Sequence, residues 1–262
     1  MAHKTLLALG DLHVGNDGAI MTEEVNTEDH CPGKNRRHFA TEIQKKIIKR
    51  WYDMCDEVKN PDILLLNGDL VDGRNYKGSG MGTWTTDVNL QAKVLSELVK
   101  MIKPRKIIAT SGSPYHCDHN PNMDSVAVEK CGGTFQGGYA TISIGNHRVY
   151  AQHKVSVSKV WQYRTTGIAR ALVMATLNEP EYGHYDVLLK SHAHYFTYAG
   201  FTSSLGMVLP CWKAHDEFGD TNVEFANPAL GYVKFEFEDS DYSFSHDIFH
   251  FKQRDIVPDV IA

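Results

Sequence analysis

Apolar residues fall along this chain in two rhythms. Short unbroken runs at 5–9, at 62–69 (DILLLNGD) and at 106–112 (KIIATSG) predict buried strands. Between them the apolar positions recur four apart. Ile43, Ile47, Trp51 and Cys55 do so across 40–58, and Leu90, Val94 and Leu98, supported by Leu95 and Ile102, across 87–103. That spacing predicts two amphipathic helices. Strand, helix, strand, helix, strand implies crossover connections and a mostly parallel sheet. The second half is richer in short strands. YATISIG and HRVYAQH meet at Gly145-Asn146, a hairpin signal, and a helix is predicted over about 159–178. A further apolar strand, DVLLKSH at 186–192, is followed by short β segments at 195–201, 205–210, 231–238 and 242–249. The expected fold class is α/β, with two packed mixed β-sheets flanked by helices in a single domain over 1–262. Two polar or glycine-rich stretches, 15–37 and 73–86, are expected to be mobile loops.

Composition narrows the field without naming a chemistry. With 42% hydrophobic and 23% charged residues the chain is ordinary for a water-soluble globular protein. A net charge of −5 argues against a broad electrostatic grip on nucleic acid, though not against a local basic patch. The cysteines at 31, 55, 117, 131 and 211 form no C-x-x-C pair, which favours free thiols and a reducing compartment. No stretch approaches the ~20 apolar residues that cross a bilayer, and the run at 5–9 is too short for a signal-peptide core. A cytoplasmic protein without a membrane partner is the expectation.

The fourteen histidines change the picture through their placement. The first strand ends in Asp11-x-His13 and the second in Gly68-Asp69. The third runs into SGSPYHCDH with His116, the strand at 147–153 ends in His153, and the strand at 186–191 ends in His192-x-His194. On an extended segment residues i and i+2 point to one side, so Asp11 and His13 are expected to reach one ion together. Any one of these residues is more often a turn former or a satisfied core residue than a ligand. Five strand ends that each deliver a carboxylate or imidazole to one rim predict a metal site, because open α/β sheets build their sites at carboxyl ends.

The order Asp-x-His, Gly-Asp, Gly-…-His, His, then Ser-His-x-His resembles the calcineurin-like metallophosphoesterase superfamily. The resemblance implies an αββα sandwich and two divalent transition-metal ions, with manganese first and iron, zinc or nickel as alternatives. Asp11, His13 and His194 would hold one ion and His153 and His192 the other, with Asp69 bridging them. The implied reaction is hydrolysis of a phosphodiester or phosphomonoester by a hydroxide generated on the ion pair, with His116 assisting catalysis. The implied partner is a phosphate-ester substrate, with a nucleotide or nucleic acid among the candidates.

One motif departs from the family's Gly-Asn-His-Asp/Glu. Here Gly112-Ser113-Pro114-Tyr115-His116 has no asparagine, leaving Ser113 as a weak candidate ligand and Asp118 and His119 as further ones. The variant suggests a phage or prokaryotic branch. In GDLVDGR, Arg74 follows Gly73, one position later than the phosphate-holding arginine of a similar phosphatase run; Arg74, and Arg37 beside Arg36, are candidate substrate contacts. Trp84 and Tyr76 can stack on a base or anchor their loop. Three other readings stand beside the phosphoesterase: a nuclease of the same fold, a binding or scaffold protein with weakened chemistry, and, last, an amidohydrolase zinc pair at His192-x-His194.

Overall fold

The computed structural model describes residues 3–26, 37–76, 80–117, 122–158, 160–201, 203–214 and 227–251. Its first sheet has the strand order β13-β12-β1-β4-β5-β6. The parallel heart is β1 (Lys4–Leu9), β4 (Ile63–Asn67), β5 (Lys106–Thr110) and β6 (Thr134–Phe135). Antiparallel β12 (Leu230–Phe237) and β13 (Tyr242–Phe249) extend it. The second sheet runs β10 (Thr197–Phe201), β11 (Ser204–Val208), β9 (Val187–Lys190), β8 (His147–Ala151) and β7 (Ala140–Ile144). A small hairpin, β2 (Glu24–Asn26) with β3 (Arg37–Phe39), stands apart from both.

The unbroken apolar runs have a direct cause. Alternate residues of β1, β4 and β5 face two different cores. Leu7, Leu9, Leu64, Leu66 and Ala109 pack under the helices, together with Ile47, Trp51, Leu95 and Leu98. Leu6, Ala8, Leu65 and Ile108 point the other way, into a layer shared with Ile142, Val149, Leu189, Met207 and Phe235 of the facing strands. A strand covered on both faces has no solvent side, so every position becomes apolar. The two packed mixed sheets flanked by helices are therefore the architecture of the chain.

Helix α1 (Glu42–Glu57) starts at a reciprocal cap: the Thr41 hydroxyl accepts from Gln44 N and the Gln44 side chain accepts from Thr41 N. Helix α2 (Val88–Ile102) starts at Asp87 and stops at Lys103, which takes a left-handed conformation. Helix α5 (Thr166–Leu177) covers the outer face of the second sheet, and the helical stretch expected from 159 is preceded there by a short 3-10 turn, Trp161–Tyr163. Its close approach needs Gly206, where a Cβ would stand 2.8 Å from atoms of Ile168 and Leu172.

Several elements go beyond the sequence expectation. Helices α3 (Pro114–Cys117), α4 (Met123–Lys130) and α6 (Glu179–Tyr182), strand β6 and the β2–β3 hairpin are short and carry no clear periodicity. The stretch from 15 to 22, expected to be a mobile loop, is mostly buried. Ile20 and Met21 enter the core, and Ile20 N donates to Trp212 O at 3.0 Å. Likewise Trp84 N donates to Gly15 O, and the Trp84 ring stacks on His38, so this tryptophan anchors its loop. Residues 27–36 and 77–79 of the two expected loops, with Arg36 and Cys31 among the former, lie outside the described residues. Cys55, Cys131 and Cys211 are free thiols, the first two pushed up to about 12 by burial. Among the described residues no helix is long and apolar enough to cross a membrane.

Candidate metal centre

The carboxyl ends of β1, β4 and β5 in one sheet and of β8 and β9 in the other meet at a single edge of the sandwich. Asp11 and His13 follow β1, Asp69 follows β4, Ser113 and His116 follow β5, His153 follows β8, and His192 and His194 follow β9. The expected extended geometry of Asp11-x-His13 is replaced by something less common. Strand β1 ends at Leu9, and Asp11 and His13 have φ of 51° and 47°. Asp69, His192 and His194 are also left-handed, at 51°, 74° and 53°. An L-residue pays roughly 1–2 kcal/mol for that conformation, and such strain collects where a fold over-determines it. Tight turns, rather than strand alternation, aim these side chains inward.

Backbone bonds hold the turns. Asp11 N donates to Gly68 O at 3.1 Å and His13 N to Asp69 O at 2.9 Å. His192 N donates to Asp11 Oδ2 at 2.8 Å, which joins the two sheets at the site. The close approach of the β4 and β5 ends explains Gly112, where a Cβ would lie 2.0 Å from Asp69 Oδ1.

Three groups of potential ligands result, each with its donor atoms within 4.8 Å of one another: Asp11, His13 and His194; His13, Asp69 and His116; Asp69, His153 and His192. His13 Nε2 and His194 Nε2 are 3.1 Å apart, and Asp11 Oδ1 lies 3.4 Å from His194 Nε2 and 3.8 Å from both His13 Nε2 and His153 Nε2. His153 Nε2 is 3.0 Å from Asp69 Oδ2. Asp11 Oδ1 is buried and accepts no hydrogen bond among the described residues, with three imidazole nitrogens at 3.4–3.8 Å around it. Carboxylate oxygens and imidazole nitrogens converging in one buried space are the donor set a divalent cation takes, so these residues fit a metal.

Electrostatics point the same way. Burial, then the neighbouring His116 imidazole, holds His13 well below its ordinary value and so in the neutral, ligating form. Burial, then His153, does the same for His192. Burial opposes ionisation of Asp69, but the adjacent His153 imidazole outweighs it and holds the carboxyl below the usual range. His153 gains in turn: against burial, Asp69 and Asp11 raise it to about 9. Metal binding at such a cluster would release the proton that these carboxylates hold on His153.

Sequence reasoning missed three residues that build this edge. Asp124, fully buried on α4, accepts from Asp69 N at 3.1 Å, Leu70 N at 2.9 Å and Gly112 N at 2.8 Å, tying together the loops after β4 and β5. Asp72 brings Oδ1 to 3.4 Å from the Nδ1 atoms of both His13 and His116. Asn67 accepts from Thr110 Oγ1, donates to Ser191 Oγ, and offers its carbonyl to His153 Nδ1 at 2.9 Å. The second Asp of GDLVDGR was a visible signal for Asp72. Asp124 sits in a short helix with no motif.

The remaining expected residues divide. His116 joins the cluster, with Nδ1 donating to Asp72 O at 3.1 Å and its ring 4.5 Å from that of His13. Ser113 lies against Asp69, its N donating to Oδ1 at 2.6 Å and its hydroxyl 3.1 Å from both carboxylate oxygens. Arg37 pairs with Glu24 across the small hairpin, and the exposed Arg74 donates to Tyr76 Oη at 2.7 Å. Asp118 and His119 lie outside the described residues.

No family model matches the chain, and no curated protein matches it. Among solved structures, the zinc-complexed wild-type Vps29 of Entamoeba histolytica resembles it at 13% identity and a TM-score of 0.46, covering 95% of this chain and 99% of that one. A novel archaeal phosphodiesterase resembles it at 10% identity and a TM-score of 0.47, covering 94% and 99%. A phosphoesterase of E. coli, Yfce, does so at 12% identity and 0.43, covering 93% and 98%.

Proposed function

We propose that this protein is a metal-dependent phosphoesterase in which Asp11, His13 and His194 hold one divalent ion, His153 and His192 hold a second, and Asp69 is shared between them. The observation that carries the proposal is the convergence of Asp11, His13 and His194 and of Asp69, His153 and His192, the potential donor atoms of each group lying within 4.8 Å of one another at one buried edge. Divalent ions bound there would polarise a phosphoryl oxygen and bring the pKa of a water toward neutrality. An imidazole-rich set suits manganese, iron, zinc or nickel better than magnesium, and manganese is the first to test.

The protein's own groups do the rest. His116 donates through Nδ1 to a carbonyl, which accepts only, so Nε2 is the atom left to address the substrate. There it holds a proton and delivers it to the leaving oxygen. Ser113, through its N–H and hydroxyl, orients the Asp69 carboxylate, whose ionised form, opposed by burial, is favoured first by His153. Arg74, which donates to Tyr76 Oη, and Arg37, which pairs with Glu24, stay as the candidate phosphate contacts. The net charge of −5 favours small phosphoesters over long duplex nucleic acid.

The test combines elemental analysis of manganese-reconstituted protein with hydrolysis of aryl phosphate monoesters and diesters, using His116→Ala as the control. Bound metal with turnover lost in the control is expected. Bound metal without turnover on any ester would make this a binding protein, and failure to bind metal would remove the proposal.

A further inference from the structure

A cavity of about 240 Å³ opens beside His153 and His192. Its wall also includes Ser113, Gly138, Gln152 and Lys154, and no carboxylate lines it. Two cations belong to this wall or stand directly behind it, and neither has an acidic partner among the described residues. Lys154 is exposed at the edge. Lys190 is only 7% exposed, and its ammonium reaches just the side-chain oxygen of Gln152 and the face of Tyr150, 5.3 Å from the ring centroid. A buried lysine without a carboxylate is costly to a fold and uncommon.

The contact has a consequence for the cavity. An ammonium only donates, so the Gln152 atom facing Lys190 must be the amide oxygen. The amide NH₂, with two donors and no partner among the described residues, is then left for the cavity. The wall presents donors and positive charge to whatever enters, beside the candidate ligands His153 and His192 that also line it.

We infer that this cavity receives a second anionic group of the substrate, with the Gln152 amide and the Lys154 ammonium as its contacts and Lys190 as the positioning residue that fixes the amide. The inference rests on the phosphoesterase reading and narrows its substrate class to compact compounds with a second phosphate or equivalent anion next to the scissile one. The volume is below the ~300–1,000 Å³ of pockets that take drug-sized ligands, so it suits one such group with a few further atoms.

The experiment is calorimetric binding of two non-hydrolysable probes, methylphosphonate and methylenediphosphonate, to the manganese-reconstituted full chain. The unsubstituted protein is expected to prefer the diphosphonate by about tenfold or more, the scale of a charge-assisted contact. Lys154→Gln and Gln152→Ala are each expected to cut that preference several-fold and leave methylphosphonate binding unchanged. Lys190→Met, which frees the amide to turn, should reproduce the Gln152→Ala result. A preference that survives all three substitutions would overturn the inference while the phosphoesterase reading stands, since chelation alone would then explain it. Failure of both probes to bind would remove both.

Discussion

The two ends of the same strand pair, β1 and β4, are built on opposite terms. At the amino end Asp62 accepts from Thr5 N at 2.9 Å, its backbone N–H is taken by Thr5 Oγ1 at 3.0 Å, and Lys4 and Arg105 face its carboxylate at 3.6 and 3.1 Å. At the carboxyl end Asp11 keeps one buried oxygen without a partner, its backbone is left-handed, and His13, Asp69, His192 and His194 around it share that strain. One end is satisfied and adds stability. The other stores unsatisfied polarity and backbone strain, which a site needs and a scaffold avoids. Asp124 shows how both fit in one fold, since its three backbone bonds secure the strained loops from behind.

That contrast can be broken most sharply at Asp11. Asp11→Asn is expected to lower metal-dependent ester hydrolysis by ~10³-fold or more, equivalent to about 4 kcal/mol of barrier. Metal-free unfolding in urea should move far less than hydrolysis does, because the amide keeps the oxygen that accepts from His192 N and only the attraction to the His153 and His194 imidazoles is lost. A large loss of metal-free stability would mean that the carboxyl end is not frustrated after all.

Asp124→Ala is expected to cost about 3 kcal/mol or more of stability, since three buried N–H groups lose their acceptor. Denaturant midpoints measured without metal would show it. Metal addition sharpens the comparison from the other side. Manganese at 100-fold over its dissociation constant should raise stability by about 2.7 kcal/mol, visible as a higher melting temperature, and chelation should reverse it. In Asp11→Asn that rise should shrink or vanish.

The smallest effect belongs to the satisfied end. Asp62→Ala is expected to cost about 1–2 kcal/mol and to leave hydrolysis intact. Burial works against the Asp62 charge, but the Thr5 hydrogen bonds and the Lys4 and Arg105 charges hold its carboxyl below its ordinary value. Its contribution is therefore complete above the unfolded-state value of about 4 and disappears as pH falls through the lower folded-state value. Unfolding midpoints of the native and Asp62→Ala proteins should converge in acid and separate toward neutrality.

Much of this was legible in the residues because periodicity reports burial. The runs that became β1, β4 and β5 and the four-residue spacing of α1 and α2 record which positions meet a core, and a core is a local demand on each residue. The histidine and aspartate positions were legible for a related reason: each follows a strand, and parallel neighbours end together, β1, β4 and β5 in one sheet and β8 and β9 in the other, although the sequence pattern by itself suggests a single sheet rim. Less legible were α4, β6 and the buried stretch around Ile20, whose short segments take their shape from what surrounds them.

By itself, then, the order of residues determined the sandwich, its helices and the set of side chains available for a metal, because hydrophobic pattern and chain order act through local geometry. Only the tertiary structure decided that Asp11 and His13 reach inward from left-handed turns, that Asp124 secures two loops it does not adjoin in sequence, and that Lys190 turns the amide of Gln152. Those facts depend on partners brought close by folding, as far as 181 positions apart for Asp11 and His192, and no local pattern encodes them.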